Sequence, residues 1–200
     1  MKILSTTVNN FGPHAETKVD WGALGALAAL QAPNGTGKTF LQESAFATLF
    51  GYFPSREGSI YDRLRDGQLA GSLETTFEEN GRTYTATRRV KKSASGKTQS
   101  QEGELWDANT GEQIAGPKIS DFEAKVREVA GPDGVAAATW FSAQGGKGDL
   151  INIPRKDRRD VFGALLEFEA LNRLSARFGS LASEAGGAAK DAEAQSAADD

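Results

Sequence analysis

"LQAPNGTGKTF", residues 30–40, carries the clearest structural signal in the chain. Residues 32–39 fit the phosphate-loop pattern, which is Gly or Ala, four residues, then Gly-Lys-Ser/Thr, with Ala32 in the first position. Gly35 and Gly37 would let the backbone curl so that successive N–H groups point toward phosphate oxygens. The pattern predicts a nucleotide-binding loop, and a Gly-rich surface turn is the plainer alternative.

Two side chains of this loop have distinct expected roles. Lys38 is placed to reach the β and γ phosphates of a nucleotide, as the lysine of this pattern does. The Thr39 hydroxyl is placed to bind Mg²⁺, which keeps most of its ligands as water and phosphate oxygens. The expected ligand is therefore a nucleotide with bound Mg²⁺.

The sequence on either side predicts the elements that such a loop needs. Residues 26–30 are a short apolar run of strand length, although their Ala and Leu content alone favours a helix. We expect a buried strand there, leading into the loop. Residues 38–50 are apolar on nearly all sides and Gly51 follows as a C-terminal stop, which predicts a helix buried against a sheet.

Composition narrows the class of protein. The chain has 200 residues, of which 38% are hydrophobic, so one domain, or one domain with an appendage, can form a sizeable core. It has no cysteine and one histidine, His14, which excludes disulfides and thiolate metal sites and makes a histidine-based metal site unexpected. It has neither an 18-residue apolar stretch nor a secretion signal, so we expect a cytoplasmic protein with no membrane contact.

Charge is unevenly distributed along the chain. The formal net charge is −4, and the last twenty residues account for the excess of acids. Basic patches at residues 88–97 and 155–159 lie in a body that is neutral overall, a distribution that suits contact with DNA phosphates, although a solvated loop and a helix start explain them as simply. The DNA-contact candidates are Arg88, Arg89, Lys91 and Lys92.

Three hairpins are predicted from alternating apolar and polar runs joined by turn residues. They are residues 3–11 with 15–21 about Gly12-Pro13, residues 72–90 about Asn80-Gly81, and residues 103–114 about Asn109-Thr110-Gly111. The polar stretch at residues 93–102, between the second and third hairpins, predicts a mobile loop.

Two further helical segments are predicted. Residues 120–131 form one, with Ser120 as cap and Glu123 three residues on. Residues 155 to about 198 form a long tract whose apolar residues keep a 3-4 spacing, namely Leu171, Leu174, Phe178, Leu181, Ala185 and Ala188. Glycines at 179, 186 and 187 weaken this tract. We expect one domain over residues 1–170, and the start of a coiled coil or a frayed Ala-rich tail over 171–200.

Taken in order, these segments resemble the N-terminal half of the ATPase head of SbcC-type DNA repair proteins, relatives of the SMC chromosome proteins. The resemblance covers residues 1 to about 178. It is carried by NNFGPH (9–14), the phosphate loop APNGTGKT, LRDGQLAGSLETTFEENGRTYTATRR (64–89) and FSAQGGKGDLINIPRKDRRDVFGALLEFEALNRL (141–174). The resemblance implies an α/β fold, the N-terminal lobe of a P-loop ABC-type head with antiparallel β hairpins and the start of a coiled-coil helix.

A mechanism and a set of site residues follow from the resemblance. In that family the head binds ATP and Mg²⁺, two heads close over two nucleotides as a homodimer, and closure acts on an SbcD-type nuclease partner at double-stranded DNA ends. By position, Gln144 would lie near Mg²⁺ and the attacking water, where an amide can accept from water and ligate the metal. The residues that would surround the phosphates are Asn34, Gly35, Thr36, Gly37, Lys38, Thr39 and Phe40.

The chain also departs from the family pattern. His14 stands where tyrosine or another aromatic residue is more usual, and Gly-Gly-Lys-Gly after Gln144 replaces more apolar and acidic residues. The Ser-Gly-Gly signature, the apolar strand ending in Asp-Glu and the Cys-x-x-Cys hook are absent from these 200 residues. The first two follow the coiled coil in the family. We therefore expect one lobe of a composite site, near-inactive until a C-terminal lobe of the same or a separate chain completes it.

Other functions fit the same motif less well. A small P-loop kinase would use the same loop, and Arg155, Arg158 and Arg159 would imitate its lid, but the long helical tract and the hairpins argue against it. A non-catalytic half-head that binds DNA or a partner is the nearer alternative.

Overall fold

The computed structural model describes residues 1–25, 28–139, 154–155, 158, 162–163 and 174–187. The chain divides into two compact units, Met1–Ile153 and Pro154–Asp200. A domain boundary near residue 170, expected from the sequence, stays a prediction. Among the described residues, none belongs to a helix long and apolar enough to cross a membrane.

The first unit is built on a six-stranded sheet in which every neighbouring pair is antiparallel. The strands are β1 Lys2–Phe11, β2 His14–Asp20, β3 Ala70–Glu79, β4 Arg82–Lys92, β5 Gln99–Asp107 and β6 Glu112–Ala115. Their order across the sheet is β2-β1-β3-β4-β5-β6. The fold is thus mixed α/β with an antiparallel sheet.

All three predicted hairpins are present. Phe11 pairs with His14 across the first turn, Glu79 with Arg82 across the second, and the third joins β5 to β6. Asn80 and Gly81 adopt φ of 50° and 75°, the two positive values that a type I′ turn requires. Local turn chemistry therefore sets the register of these strands.

Helix α1, Lys38–Phe50, packs on this sheet as predicted. Phe40, Leu41 and Ala47 join one core cluster with residues of β1, β3 and β4, and Leu49 joins a second with Phe77 and Leu105. The helix ends at Gly51, which is in the left-handed region with φ 82° and donates its N–H to the Ala47 carbonyl. Burial of this helix fixes its N-terminal end, where the predicted phosphate loop lies, against one face of the sheet.

The structure describes three further helices in the first unit. One is a 3-10 helix between α1 and β3, beside the predicted phosphate loop, and two α-helices follow β6. They are a 3-10 helix at Ile60–Arg63, α2 at Ile119–Ala130 and α3 at Asp133–Thr139. Helix α2 buries Phe122 and Val126, one helical turn apart, in the cluster that contains Phe77. In the second unit, residues 174–187 are helical and exposed.

Three local predictions are wrong. Residues 28–30 are exposed and form no strand, since no described strand pairs with them, and residues 26–27 lie outside the described part of the chain. Ser120 does not cap α2, which begins at Ile119; its hydroxyl donates to Asp121 instead. The loop predicted at 93–102 is shorter, because β5 begins at Gln99 and pairs with β4.

Candidate phosphate-binding site

The predicted phosphate loop lines an open cleft of about 740 Å³ in the first unit. All of the predicted loop residues except Thr36 line it, namely Asn34, Gly35, Gly37, Lys38, Thr39 and Phe40. The Thr36 hydroxyl instead donates to the Pro33 carbonyl at 2.9 Å, which closes a tight turn within the loop. The structure therefore gathers the loop predicted from sequence around one opening.

The N-terminus of α1 opens into this cleft without a side-chain cap. Gly37 is the cap residue, with φ 92°, and it makes no side-chain cap hydrogen bond. The first N–H groups of an α-helix have no intrahelical acceptor, and the helix dipole makes this end electropositive. Such an end binds an anion, and phosphate is the anion that this loop pattern suits.

Lys38 is bound to its own loop in this structure. Its Nζ donates to the carbonyls of Ala32 at 2.7 Å and Pro33 at 2.8 Å. Both hydrogen bonds are exposed, so water competes with them and each contributes little net stability. A phosphate bound in the cleft can replace these two carbonyls as the acceptor of the Lys38 ammonium group, with little loss of stability.

A second part of the cleft lining was not identified from the sequence. It is formed by a segment around the 3-10 helix that contributes Arg56, Asp62, Arg63, Leu64 and Asp66. The Arg56 guanidinium lies over the Phe40 ring, 5.0 Å from its centre, and Arg63 donates to the Glu57 carbonyl. The Arg-x-Gly sequence at residues 65–67 contributes to the family resemblance, but it does not predict that this segment lines the cleft.

The donor set near Lys38 fits Mg²⁺ bound with a nucleotide. The described residues contain no cluster of three or more His, Cys, Asp or Glu that could hold a metal ion. Mg²⁺ at a phosphate loop does not need such a cluster, because phosphate oxygens and water supply most ligands and Thr39 lines the cleft. Gln144, predicted as the second protein group near the metal, lies outside the described residues.

The turn between β1 and β2 touches the loop. His14 Nε2 lies 3.2 Å from the Gly37 carbonyl oxygen, and Nδ1 lies 3.0 Å from the Thr17 hydroxyl. Gly12 and Pro13 line the cleft beside the loop. The sequence identifies His14 only as a departure from the family pattern, since turn residues give no indication of a partner 23 residues away.

The opposite end of α1 is held by Arg88, which is fully buried. Its Nε donates to the Thr48 carbonyl at 2.9 Å and its Nη2 to the Leu49 carbonyl at 3.1 Å. Its Nη1 donates to Gln101 at 2.6 Å and to Glu123 at 3.1 Å. Burial lowers the pKa of Arg88, and the Glu123 carboxylate opposes that shift.

This burial corrects the prediction that Arg88 contacts DNA, because a fully buried guanidinium cannot reach a phosphate backbone. The alternation of β4 explains the correction, since neighbouring residues of a strand point to opposite faces. Arg89, on the other face, pairs with Glu104 at 2.8 Å, which lowers the pKa of Glu104. Lys91 is exposed, and Lys92 donates to the Tyr61 carbonyl at 3.1 Å. DNA contact by these three residues stays a prediction.

Glu43, in the middle of α1, contrasts with Arg88. It is buried, and neither carboxylate oxygen has a hydrogen-bond partner among the described residues. The side of α1 that meets β3 carries Thr48, whose hydroxyl accepts from Thr75 at 3.1 Å. Helical spacing places Glu43 about 140° round the helix from Thr48, one turn beyond Thr39. No pattern in the sequence indicates an unpaired carboxylate here.

The comparisons with known proteins match the chain to DNA repair ATPases. The chain is 25% identical over 180 residues to the DNA double-strand break repair Rad50 ATPase of Halobacterium salinarum, covering 90% of this chain and 20% of that protein. It is 24% identical over 178 residues to the protein of the same name from Methanococcus maripaludis, covering 88% and 16%. No protein-family model matches the chain.

These similarities confirm the resemblance drawn from the sequence. The chain is similar, over most of its length, to DNA repair ATPases of the Rad50 and SbcC type, in the part that corresponds to an N-terminal region. It spans a fifth or less of the length of the two relatives.

Proposed function

We propose that the chain is the ATP-binding lobe of an SbcC-type DNA double-strand-break repair ATPase. The observation that carries the proposal is the cleft at the uncapped N-terminus of α1, where Lys38, Thr39 and two loop glycines converge. The similarity to two Rad50 ATPases supports ATP as the nucleotide and DNA repair as the process. In fold terms the proposal is an N-terminal lobe of a P-loop ABC-type head.

The loop residues would bind and orient the triphosphate. Backbone N–H groups of Gly35, Gly37 and Lys38 would hold phosphate oxygens, and the Lys38 ammonium would leave the Ala32 and Pro33 carbonyls for the β and γ phosphates. Mg²⁺, when bound, neutralises developing charge on the transferred phosphoryl group. Thr39 would be its protein ligand, and Gln144 would orient the attacking water.

The part of the cleft lining around the 3-10 helix would bind the rest of the nucleotide. Arg56 and Arg63 offer guanidinium donors that suit phosphate oxygens, and Asp62 and Asp66 offer carboxylates that suit ribose hydroxyls. Because Lys38, Arg56 and Arg63 all line the cleft, a polyanion entering it is attracted by more than one cation.

Hydrolysis would require a second lobe. The Ser-Gly-Gly and Asp-Glu groups that complete such a site are absent from these residues. The complement would be a C-terminal lobe of the same or a separate chain, and two completed heads would dimerise over ATP, acting on an SbcD-type nuclease at double-stranded DNA ends. The exposed apolar residues Leu174, Phe178 and Leu181 support a returning helix packed on 174–187 as the start of a coiled coil.

The test is reconstitution. ATP turnover is measured for the chain alone and for the chain combined with a C-terminal lobe that carries its own returning helix. Turnover should rise on combination and should need both Lys38 and Gln144, while hydrogen exchange in residues 171–185 slows. Equal turnover by the chain alone would show that the site is complete within these residues. ATP binding without turnover in the pair would favour the non-catalytic alternative.

A further inference from the structure

We propose that His14 is a positioning residue for phosphate binding, acting through the Gly37 carbonyl to aim the loop amides into the cleft. This inference rests on the proposed function, since it assigns a role within the same site. It starts from the His14 imidazole, which lies beside the loop. His14 is not part of the phosphate-loop motif, and it stands where the family pattern has tyrosine or another aromatic residue.

The β1–β2 turn and the phosphate loop are in direct contact. A Cβ placed on Gly37 would fall 2.4 Å from Pro13 Cγ and 2.5 Å from His14 Nε2, so that a side chain at position 37 would force these neighbours to move. A Cβ on Gly12 would fall 2.9 Å from the Phe40 ring. The turn therefore packs against the loop on both sides of Lys38, and only glycine at 37 permits this approach.

The hydrogen-bond geometry assigns the imidazole proton. A carbonyl oxygen only accepts, so the 3.2 Å hydrogen bond with Gly37 requires a proton on Nε2. In the neutral ring Nδ1 is then an acceptor, and the Thr17 hydroxyl at 3.0 Å donates to it. The Gly37 carbonyl thus selects the Nε2–H tautomer, and the Thr17 hydroxyl is compatible with it because it can donate to Nδ1.

The peptide bond carries this interaction into the cleft. The Gly37 carbonyl and the Lys38 N–H belong to one planar trans peptide, so they point in opposite directions. The same carbonyl accepts from Leu41 N–H at 2.9 Å, the first bond of α1. The His14 imidazole and the Leu41 N–H therefore fix the plane of this peptide. Its own N–H, which belongs to Lys38, is then held pointing to the place where the motif predicts a phosphate.

The fold does not depend on this bond. The turn is held independently by Gly12 N–H on the Arg63 carbonyl at 2.8 Å, and Phe11 beside it is fully buried in the core. His14 is only partly buried. Loss of the imidazole should accordingly affect phosphate affinity more than stability.

The experiment compares His14→Leu with His14→Gln in the full chain, titrating inorganic tripolyphosphate, Mg-ATP and adenosine by calorimetry. Leucine removes the donor and glutamine restores an N–H donor of similar reach. We expect His14→Leu to weaken tripolyphosphate and Mg-ATP binding by roughly three- to tenfold, the range of one hydrogen bond, with adenosine binding unchanged and most of the loss recovered by glutamine. Unchanged affinity in His14→Leu, or a loss that glutamine does not recover and that parallels a fall in Tm, would overturn the proposal.

A second measurement separates this inference from the proposed function. Nitrogen-15 NMR of the wild type should show the Nε2–H tautomer, and the Lys38 amide resonance should shift in His14→Leu with no nucleotide present. If the wild type bound neither Mg-ATP nor tripolyphosphate, the proposed function would fail while this shift still tested the interaction between His14 and the loop. An unshifted Lys38 amide would reject the positioning role whether or not ATP binds.

Discussion

The two ends of helix α1 are built in opposite ways. At its start, Gly37 provides no side-chain cap and the loop lies open to solvent around a cleft. At its end, the carbonyls of Thr48 and Leu49 accept from the buried Arg88, and Gly51 closes the helix in a left-handed conformation. The same element thus lacks a side-chain cap at one end and has its last carbonyls satisfied by a buried side chain at the other.

This difference follows from what each end does. A ligand anion can be bound only if backbone donors are available to it, so a capping side chain at the start would compete with phosphate. The other end is inside the protein, where an unsatisfied carbonyl costs free energy and a cation complements the helix dipole. Changes at the Arg88 end should therefore alter stability, and changes at the loop end should alter ligand affinity.

The largest expected effect is at the buried end. Arg88→Met removes four hydrogen bonds and leaves Glu123 and two helix carbonyls without their donor. We expect the free energy of unfolding to fall by about 3–5 kcal/mol, measured by urea denaturation. The matched control is Arg89→Met, the next residue of β4, whose side chain is 41% exposed and pairs with Glu104. Arg89→Met should lower the free energy of unfolding by less than about 1 kcal/mol. Equal losses in the two variants would show that burial does not distinguish Arg88 from Arg89.

The next effect concerns binding. Lys38→Ala removes the ammonium group expected on the β and γ phosphates, and loss of such a partner costs about 2–5 kcal/mol. ATP affinity should fall at least about tenfold by calorimetry, with little change in urea midpoint because the Lys38 hydrogen bonds are exposed. Lys97→Ala, in the turn after β4, is the control and should leave affinity unaltered. Equal ATP affinity for wild type and Lys38→Ala would contradict the assignment of the loop.

A substitution in the middle of α1 should raise the free energy of unfolding, whereas Arg88→Met should lower it. Glu43→Leu removes a buried carboxylate that has no partner among the described residues, so the free energy of unfolding should rise by about 1–3 kcal/mol. Thermal and urea unfolding measure it. Gln42→Leu on the exposed side of the same helix is the control and should stay within about 0.5 kcal/mol of wild type. Destabilisation by Glu43→Leu would mean that the carboxylate has a donor in the folded protein.

The smallest effect tests the basic side chains of β4 that are not fully buried. Replacing Arg89, Lys91 and Lys92 with glutamine should lower the log-log salt slope of duplex DNA binding by about one unit for each DNA phosphate that these side chains neutralise in the wild type. Arg88 is left in place because its burial excludes it. The control is Lys125→Gln on α2, where the lysine pairs with Glu128. A slope that stays constant in the triple variant would identify these residues as solvated side chains.

Much of the fold could be predicted because its rules are local. The turns at Gly12-Pro13 and Asn80-Gly81 require backbone conformations that few residues adopt, so their positions are readable without knowing any partner. Helix α1 and its stop at Gly51 follow from apolar continuity and one glycine. The phosphate loop is predicted for the same kind of reason, since its residue spacing encodes a backbone shape.

What the sequence by itself determined was the set of hairpins, the loop and the buried helix that carries it. Only the tertiary structure decided which charges are inside, because Arg88 and Arg89 are adjacent in sequence and differ only in the face of β4 to which they point. Packing likewise brought His14 to Gly37, placed Arg56 over Phe40 and left residues 28–30 without a strand partner. Local conformation depends on neighbouring residues, whereas burial and hydrogen-bond partners depend on distant segments that only folding brings together.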